Sequence, residues 1–214
     1  IDTEYYNKIY NKTVKYIPNG MPALGKGNVK ELQEWNLEKG NYILFSAGRI
    51  LPSKGLHTLL DAYGRLETNI PLVVVGGPSS DERYFNKQKS RAPDGTVFTG
   101  FLTNDKLWSI YRYPRVAVFP SEAEAQSMTL LEFLAMGIDV LYSDIPENEI
   151  VAKDYGFSFA SGSVDSLTEQ LINIISKNRS IESVKSSSHI IKEHDWNTIV
   201  NQYIKEYSRA ISMY

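Results

Sequence analysis

Two acidic and two basic residues stand out in this sequence because of their spacing. Glu124 and Glu132 are separated by seven residues, and Arg49 is followed five positions later by Lys54. A carboxylate accepts hydrogen bonds from vicinal hydroxyls, as it does from ribose in dinucleotide-binding folds. The planar fork of arginine and the point charge of lysine together suit a diphosphate. These residues therefore predict a site for a nucleotide diphosphate and an attached sugar.

The same residues also have simpler explanations. Lysine and arginine are usually solvated surface cations, and a glutamate in the first turns of a helix is favoured by the helix dipole. Stability does not explain two buried carboxylates at one place, because burying them together is costly unless each has a partner. The residue types alone leave both interpretations open.

Further candidates follow other apolar runs of the sequence. Gly76 and Gly77 follow one such run, and glycine there permits a positive φ or a close backbone approach to a ligand. An ordinary tight turn would use the same residue. Backbone groups beside Phe101 and Leu102 could read the edge of a nucleobase, or these two side chains could simply pack between helices.

The segment between the two glutamates begins a predicted helix. Ser127, Met128 and Thr129 fall at its start, where the first backbone N–H groups have no partner within the helix. Such N–H groups attract anions, so this helix start could hold a phosphate.

The elements that must position these residues follow from the hydrophobic pattern. Apolar runs of strand length occur at 42–46, 72–75, 96–98, 116–119, 139–142 and, more weakly, 157–159. Helical patterns occur at 55–66, 81–91, 104–111, 127–136, 164–177 and 196–211. We also predict a strand end at 15–17, a weak helix at 29–35 and a turn at 186–188. This alternation predicts a doubly wound, Rossmann-like α/β fold, with a parallel sheet of about six strands flanked by helices. Ligands of such sheets bind beyond the carboxyl ends of the strands.

Composition excludes several classes of function. The 214 residues fit one α/β domain, and a net charge of -2 without a basic stripe argues against nucleic-acid binding. The absence of cysteine excludes thiolate metal sites and disulfides, and it suits a reducing cytosol. No apolar run approaches the length of a membrane span.

The order of the motifs resembles the C-terminal, donor-binding domain of a retaining GT-B glycosyltransferase of family 4, among the glycosyl transferases group 1. The resemblance extends from Pro18-Asn19-Gly20 to Trp196. It is carried by Gly48-Arg49, Lys54-Gly55, Val75-Gly76, Thr99-Gly100, Pro120-Ser121, the pair Glu124 and Glu132, Ala135-Met136-Gly137, and the run from Ser143 to Asn148.

This resemblance implies a role for each site residue. Arg49 and Lys54 would grip the donor diphosphate and stabilise the leaving nucleoside diphosphate, Glu124 would bond hydroxyls of the sugar, and Glu132 would bond the ribose. The remaining donor-binding positions would be Gly48, Gly76, Phe101, Leu102, Ser127, Met128 and Thr129. The donor would be a UDP-, GDP- or ADP-sugar. No metal and no cofactor is expected, because the two cations stabilise the charge.

The resemblance also predicts how the domain fits into a larger protein. Residues 1–214 would form a single nucleotide-sugar-binding domain, and the polar start without methionine indicates a fragment whose N-terminal acceptor domain is absent. The helix within 198–214 would pack toward that domain. The fragment alone would be inactive in transfer. The enzyme is expected in the cytoplasm, and the absent half could bring it to the inner face of the membrane.

Several features stay open. Ala125-Gln126-Ser127 replaces the Gly-Phe-Gly that many members have, which affects the choice of donor sugar. His57 could face the phosphates, or it could be a capping or solvent-exposed residue. A non-catalytic nucleotide-sugar-binding module is the main alternative function. A GT-B-type epimerase would need a cluster of catalytic acids and a histidine in the cleft, which the sequence does not show.

Overall fold

The fold is a six-stranded, wholly parallel sheet with helices on both faces, seen in a computed structural model that describes residues 3–11, 13–176 and 182–212. The strands are β1 (Ile43–Ile50), β2 (Leu72–Pro78), β3 (Thr96–Gly100), β4 (Val116–Phe119), β5 (Val140–Ser143) and β6 (Phe157–Phe159). The helices are α1 (Thr3–Tyr10), α2 (Leu56–Tyr63), α3 (Arg83–Ser90), α4 (Asn104–Arg112), α5 (Met128–Ala135), α6 (Pro146–Ala152), α7 (Val164–Ser176), α8 (Glu182–Glu193) and α9 (Trp196–Ile211). Two 3-10 helices cover Val29–Trp35 and Pro52–Lys54.

The sheet separates two hydrophobic layers. Successive residues of a strand face opposite sides, so Leu44 and Val73 pack in the layer under α4 and α5, while Phe45 and Val74 pack in the layer under α2 and α7. Both faces are therefore covered, and the central strands β1, β2 and β4 are mostly apolar and buried, as is usual for parallel strands. The predicted doubly wound fold is confirmed.

The strand order places the candidate site. The order is β3-β2-β1-β4-β5-β6, so the chain runs outward in one direction from β1 and in the other direction from β4. The carboxyl ends of β1 and β4 are consequently neighbours, and a crevice forms where the order reverses. The segments that follow β1 and β4 carry Lys54 and Glu124.

Some predicted elements were wrong in extent or type. Strand β1 continues to Ile50, so Gly48 and Arg49 lie in the strand and not in the following loop. Its pairing with β2 shifts in register between Ser46 and Arg49, which marks an irregular strand end. The expected strand end at 15–17 belongs to no sheet, and the expected turn at 186–188 lies inside α8.

Candidate active site

A cavity of about 150 Å³ lies at the carboxyl ends of β1 and β4. Its walls come from the end of β1, the turn before α2, and the connection from β4 to α5. The lining residues are Phe45, Ser46, Ala47, Gly48, Lys54, Phe119, Pro120, Ser121, Glu124, Gln126, Ser127, Met128 and Thr129. Six of the predicted site residues are therefore gathered in one crevice.

An ion pair between Lys54 and Glu124 forms the polar centre of this cavity. The Nζ atom of Lys54 lies 2.7 Å from Oε1 of Glu124, and the hydroxyl of Ser121 donates to the same oxygen at 2.8 Å. The side chain of Glu124 is 9% exposed and that of Lys54 is 29% exposed. A nearly buried carboxylate thus has the partners that its burial requires.

Close backbone packing holds the two loops of the cavity together. Lys54 ends the 3-10 helix Pro52–Lys54, and Gly55 follows it with a φ of 67°. A Cβ on Gly55 would lie 1.8 Å from the carbonyl oxygen of Pro120, so only glycine allows the loops to approach so closely. The N–H of Glu122 donates to the carbonyl of Ser53 at 2.8 Å. These contacts fix the Lys54 and Glu124 backbones relative to each other.

Helix α5 begins at the edge of the cavity. Ser127 is its N-cap residue, and the Ser127 hydroxyl accepts from the N–H of Leu130 at 3.3 Å. The N–H groups of Met128 and Thr129, in the first turn, have no carbonyl acceptor within the helix. The helix start therefore offers N–H groups to an anion beside the Lys54 ammonium.

Glu132 lies one turn further along α5, outside the lining of this cavity and in a drier environment. Burial raises the pKa of its carboxyl group to about 7. Burial likewise raises the pKa of Tyr111 to about 12, opposed by hydrogen bonds to Ser46 and Thr129 and reinforced by the charge of Glu132. The hydroxyls of Tyr111 and Ser46 are 2.6 Å apart. Glu132 thus faces a hydroxyl-rich cluster, and within the described residues its carboxyl group makes no hydrogen bond or ion pair.

The other predicted residues lie around the crevice. Arg49 is exposed, pairs across the sheet with Gly77, and has no side-chain partner in the described part of the chain. The Phe101 side chain is 64% exposed, and its ring lies against Gly77 at the end of β2. Leu102 packs against the core, which was the structural alternative for that residue.

Gly76 has a clear structural reason for being glycine. Its φ is 117°, and a Cβ there would lie 1.8 Å from the carbonyl oxygen of Ala47. The close approach at this position is therefore between β1 and β2. Gly48, in contrast, lines the cavity, and a Cβ there would meet nothing within 4 Å.

Sequence reasoning missed several polar contacts at the site. Gln126 accepts from the N–H of Asn19 at 3.0 Å through Oε1, so it ties the β4–α5 connection to the N-terminal segment. His57 contacts Tyr84 and Glu122 and not the cavity. These partners are far apart in the sequence, and no spacing pattern signals them.

Neither a metal centre nor a membrane-spanning helix is found among the described residues. Across 3–11, 13–176 and 182–212, no three His, Asp or Glu side chains are placed to hold a metal ion together. No helix in those same ranges has the length and apolar character needed to cross a membrane.

The family model and the curated relatives that match this sequence point to the same family. The sequence model of glycosyl transferases group 1 matches residues 29–194. The chain is 28% identical over 218 residues to lipopolysaccharide 1,2-N-acetylglucosaminetransferase of Salmonella typhimurium, covering 93% of this chain and 57% of that protein. In general, the chain spans about half the length of the curated relatives it matches.

Solved structures share the fold. Sucrose-phosphate synthase from Thermosynechococcus elongatus superposes with a TM-score of 0.81 at 19% identity, over 99% of this chain and 57% of that one. Anabaena HepE in complex with UDP-glucose superposes with a TM-score of 0.79 at 19% identity, over 92% of this chain and 58% of that one. These neighbours have the GT-B fold, so the architecture predicted from the motif order is confirmed.

Proposed function

The chain belongs to the glycosyl transferases group 1 family, and we propose that the full-length protein transfers a hexosyl group from a nucleotide-diphospho-sugar to an acceptor, with retention of anomeric configuration. The observation that carries this proposal is the Lys54–Glu124 pair, which lies in a crevice at the point where the strand order reverses. Nucleotides bind at this point in doubly wound folds.

The geometry supports a division of labour within the crevice. Lys54 and the start of α5 provide positive charge and N–H groups for the diphosphate, and exposed Arg49 is free to swing toward it. The same cations stabilise the nucleoside diphosphate as it leaves, so a metal ion is not required. Glu124, held by Lys54 and Ser121, accepts hydrogen bonds from hydroxyls of the sugar. Glu132 accepts hydrogen bonds from the hydroxyls of the ribose.

Two named comparisons favour this chemistry. The structure of HepE was solved with UDP-glucose, and the Salmonella relative is named for transfer to lipopolysaccharide. We accordingly propose a nucleotide sugar as donor and a polysaccharide or glycolipid as acceptor. A cytoplasmic location at the inner face of the membrane would suit a lipid-linked acceptor.

The remaining part of the full-length protein is proposed to dock on α1 and α9. Apolar side chains of both helices are exposed, among them Tyr6 and Tyr10 of α1 and Tyr203 and Tyr207 of α9. The curated relatives are about twice as long as this chain, so they contain enough sequence for a second domain. That domain would supply the acceptor site and the other wall of the cleft.

Binding of nucleoside diphosphates tests the donor site. Titration calorimetry with UDP, GDP and ADP should show binding of one of them, and Lys54→Ala and Glu132→Ala should each abolish it. The exposed residues Lys192 and Glu169 provide matched controls, and their alanine variants should bind as the wild type does. Binding that survives both site substitutions would refute the proposed site. Binding without any transfer by the full-length protein would identify a non-catalytic module instead.

A further inference from the structure

Three side chains form a chain of polar contacts behind the loop that carries Glu124. The Nδ1 atom of His57 lies 2.9 Å from the hydroxyl of Tyr84, and its Nε2 atom lies 3.1 Å from Oε1 of Glu122. His57 belongs to α2, Tyr84 to α3, and Glu122 to the β4–α5 connection. The chain therefore joins the segments that follow three neighbouring strands.

The Tyr84 hydroxyl contacts both the backbone and the ring of His57. The backbone N–H of His57 donates to the Tyr84 oxygen at 3.3 Å, and the same hydroxyl lies within hydrogen-bonding distance of Nδ1. Burial raises the pKa of Tyr84, and the phenol keeps its proton. When Nδ1 accepts from Tyr84, the ring N–H is on Nε2, and Nε2 lies 3.1 Å from the Glu122 carboxylate.

Further contacts make His57 a firm anchor. The guanidinium of Arg91 donates to the carbonyl of His57 at 3.0 Å and pairs with Asp61 at 2.9 Å, which holds the first turn of α2 in place. Glu122, by contrast, has a 44% exposed side chain, and His57 is its ion-pair partner in the described residues. Its N–H is bonded to Ser53, so the His57 contact is the second attachment of the same residue.

We propose that His57 is a positioning residue, which through Glu122 holds loop 121–124 so that the carboxylate of Glu124 meets the donor sugar. This inference rests on the proposed function of the crevice. The diphosphate is held by Lys54 and the start of α5, and neither depends on the Glu122 side chain. Loss of the His57 contact should therefore weaken the interactions made with the sugar and spare those made with the nucleoside diphosphate.

Two substitutions at one position separate hydrogen bonding from packing. In His57→Gln, the amide oxygen can accept from Tyr84 and the amide N–H can donate to Glu122, whereas His57→Leu can do neither. In the full-length protein, His57→Leu should lower the affinity for the nucleotide sugar by about tenfold. It should lower the affinity for the nucleoside diphosphate by less than about twofold, and calorimetry measures both. His57→Gln should remain within about twofold of the wild type for both ligands.

Hydrogen exchange provides a readout that needs no ligand. The backbone amides of 121–124 should exchange faster in His57→Leu than in the wild type, and His57→Gln should restore protection. If His57→Leu does not fold, Tyr84→Phe is the substitute variant. It keeps the ring of Tyr84 but removes its hydroxyl, so the amides of 121–124 should exchange faster than in the wild type, by a smaller amount.

The outcomes distinguish this inference from the proposed function. A wild type that binds no nucleotide would refute both. A wild type that binds, with unchanged sugar affinity and unchanged exchange in His57→Leu, would overturn only the role of His57. Equal losses of affinity for the nucleoside diphosphate and for the nucleotide sugar would also overturn the role of His57, because the effect would then lie at the phosphates.

Discussion

Glu124 and Glu132 have the same side chain but different surroundings. Glu124 contacts the ammonium of Lys54 and the hydroxyl of Ser121, so its carboxylate is held in a fixed orientation. Glu132 is half-buried, and burial raises its pKa to about 7. The carboxylate that we propose accepts hydrogen bonds from the ribose hydroxyls therefore titrates near neutral pH, and we expect donor binding to be linked to a proton.

The pH dependence of donor binding tests this difference. Between pH 6 and 8, the affinity for a nucleotide sugar should rise by about tenfold as Glu132 ionises, and it should then level off. A nucleotide sugar is the suitable ligand, because its diphosphate has no second ionisation in this range. Calorimetry of Glu132→Gln should show weaker binding that changes little with pH. A wild-type affinity that stays constant from pH 6 to 8 would contradict the assignment.

The same variant should also change stability in a defined direction. A carboxyl group with a raised pKa keeps its proton in the folded state, so the free energy of unfolding falls as pH rises from about 4.5 to about 7. Without ligand at pH 8, Glu132→Gln should therefore be more stable than the wild type, by about 1 to 3 kcal/mol in urea unfolding. The difference should disappear near pH 4.5.

The segments that carry the candidate residues could be predicted from the sequence, whereas the contacts between those residues could not. The end of β1, the β4–α5 connection and the start of α5 were predicted as the chemical segments, because they follow apolar runs. The ion pair of Lys54 with Glu124 was not predicted, since it joins positions 70 residues apart and depends on the turn at Gly55. Glu132 was predicted at its place on α5, but its raised pKa depends on burial that only the folded chain provides.

At the scale of elements, Gly55 connects the 3-10 helix of Lys54 with α2. Gly55→Ala would combine a positive φ with a Cβ 1.8 Å from the Pro120 carbonyl, so the β4–α5 connection must move. We expect a loss of at least about 2 kcal/mol in the free energy of unfolding, together with weaker nucleotide-sugar binding.

Gly40→Ala is the matched control for this prediction. Gly40 has a φ of 74°, but a Cβ there would meet no atom within 4 Å. It should lose only about 1 kcal/mol, the cost of the backbone conformation, and bind normally. Equal losses in the two variants, measured by urea unfolding, would show that the contact with Pro120 does not matter.

The errors in predicting the end of β1 and the turn at 186–188 have identifiable physical causes. Exposed Gly48 and Arg49 interrupt the apolar run of β1, so the pattern ended the strand too early. The serine run at 186–188 is typical of a turn, but it continues as helix α8, and the buried side chain of Ile190 anchors that helix to the core. Tertiary packing thus overrode local preference in both segments.

At the scale of the whole molecule, α9 is a long helix with little to hold it. Of its 16 residues, only Ile199 is buried. Large apolar side chains at 196, 200, 203, 204, 207 and 211 are exposed. Lys15 pairs with Glu206 at 2.7 Å, which brings the segment after α1 against α9. An apolar stripe of this size normally meets another surface, and this supports docking of a second domain.

Polar substitution of the stripe tests that docking. Ile204→Ser with Tyr207→Ser should lower the melting temperature of the full-length protein by several degrees, because apolar area buried between domains is lost. The same pair in the 214-residue chain should change the melting temperature little, since both side chains are already exposed there. Asn201→Ser, an exposed polar position on the same helix, is the control and should have no effect in either protein. If the stripe variant lowers the melting temperature of both proteins equally, α9 serves only this domain, and the proposed docking surface is wrong. If it lowers neither, the second domain packs elsewhere.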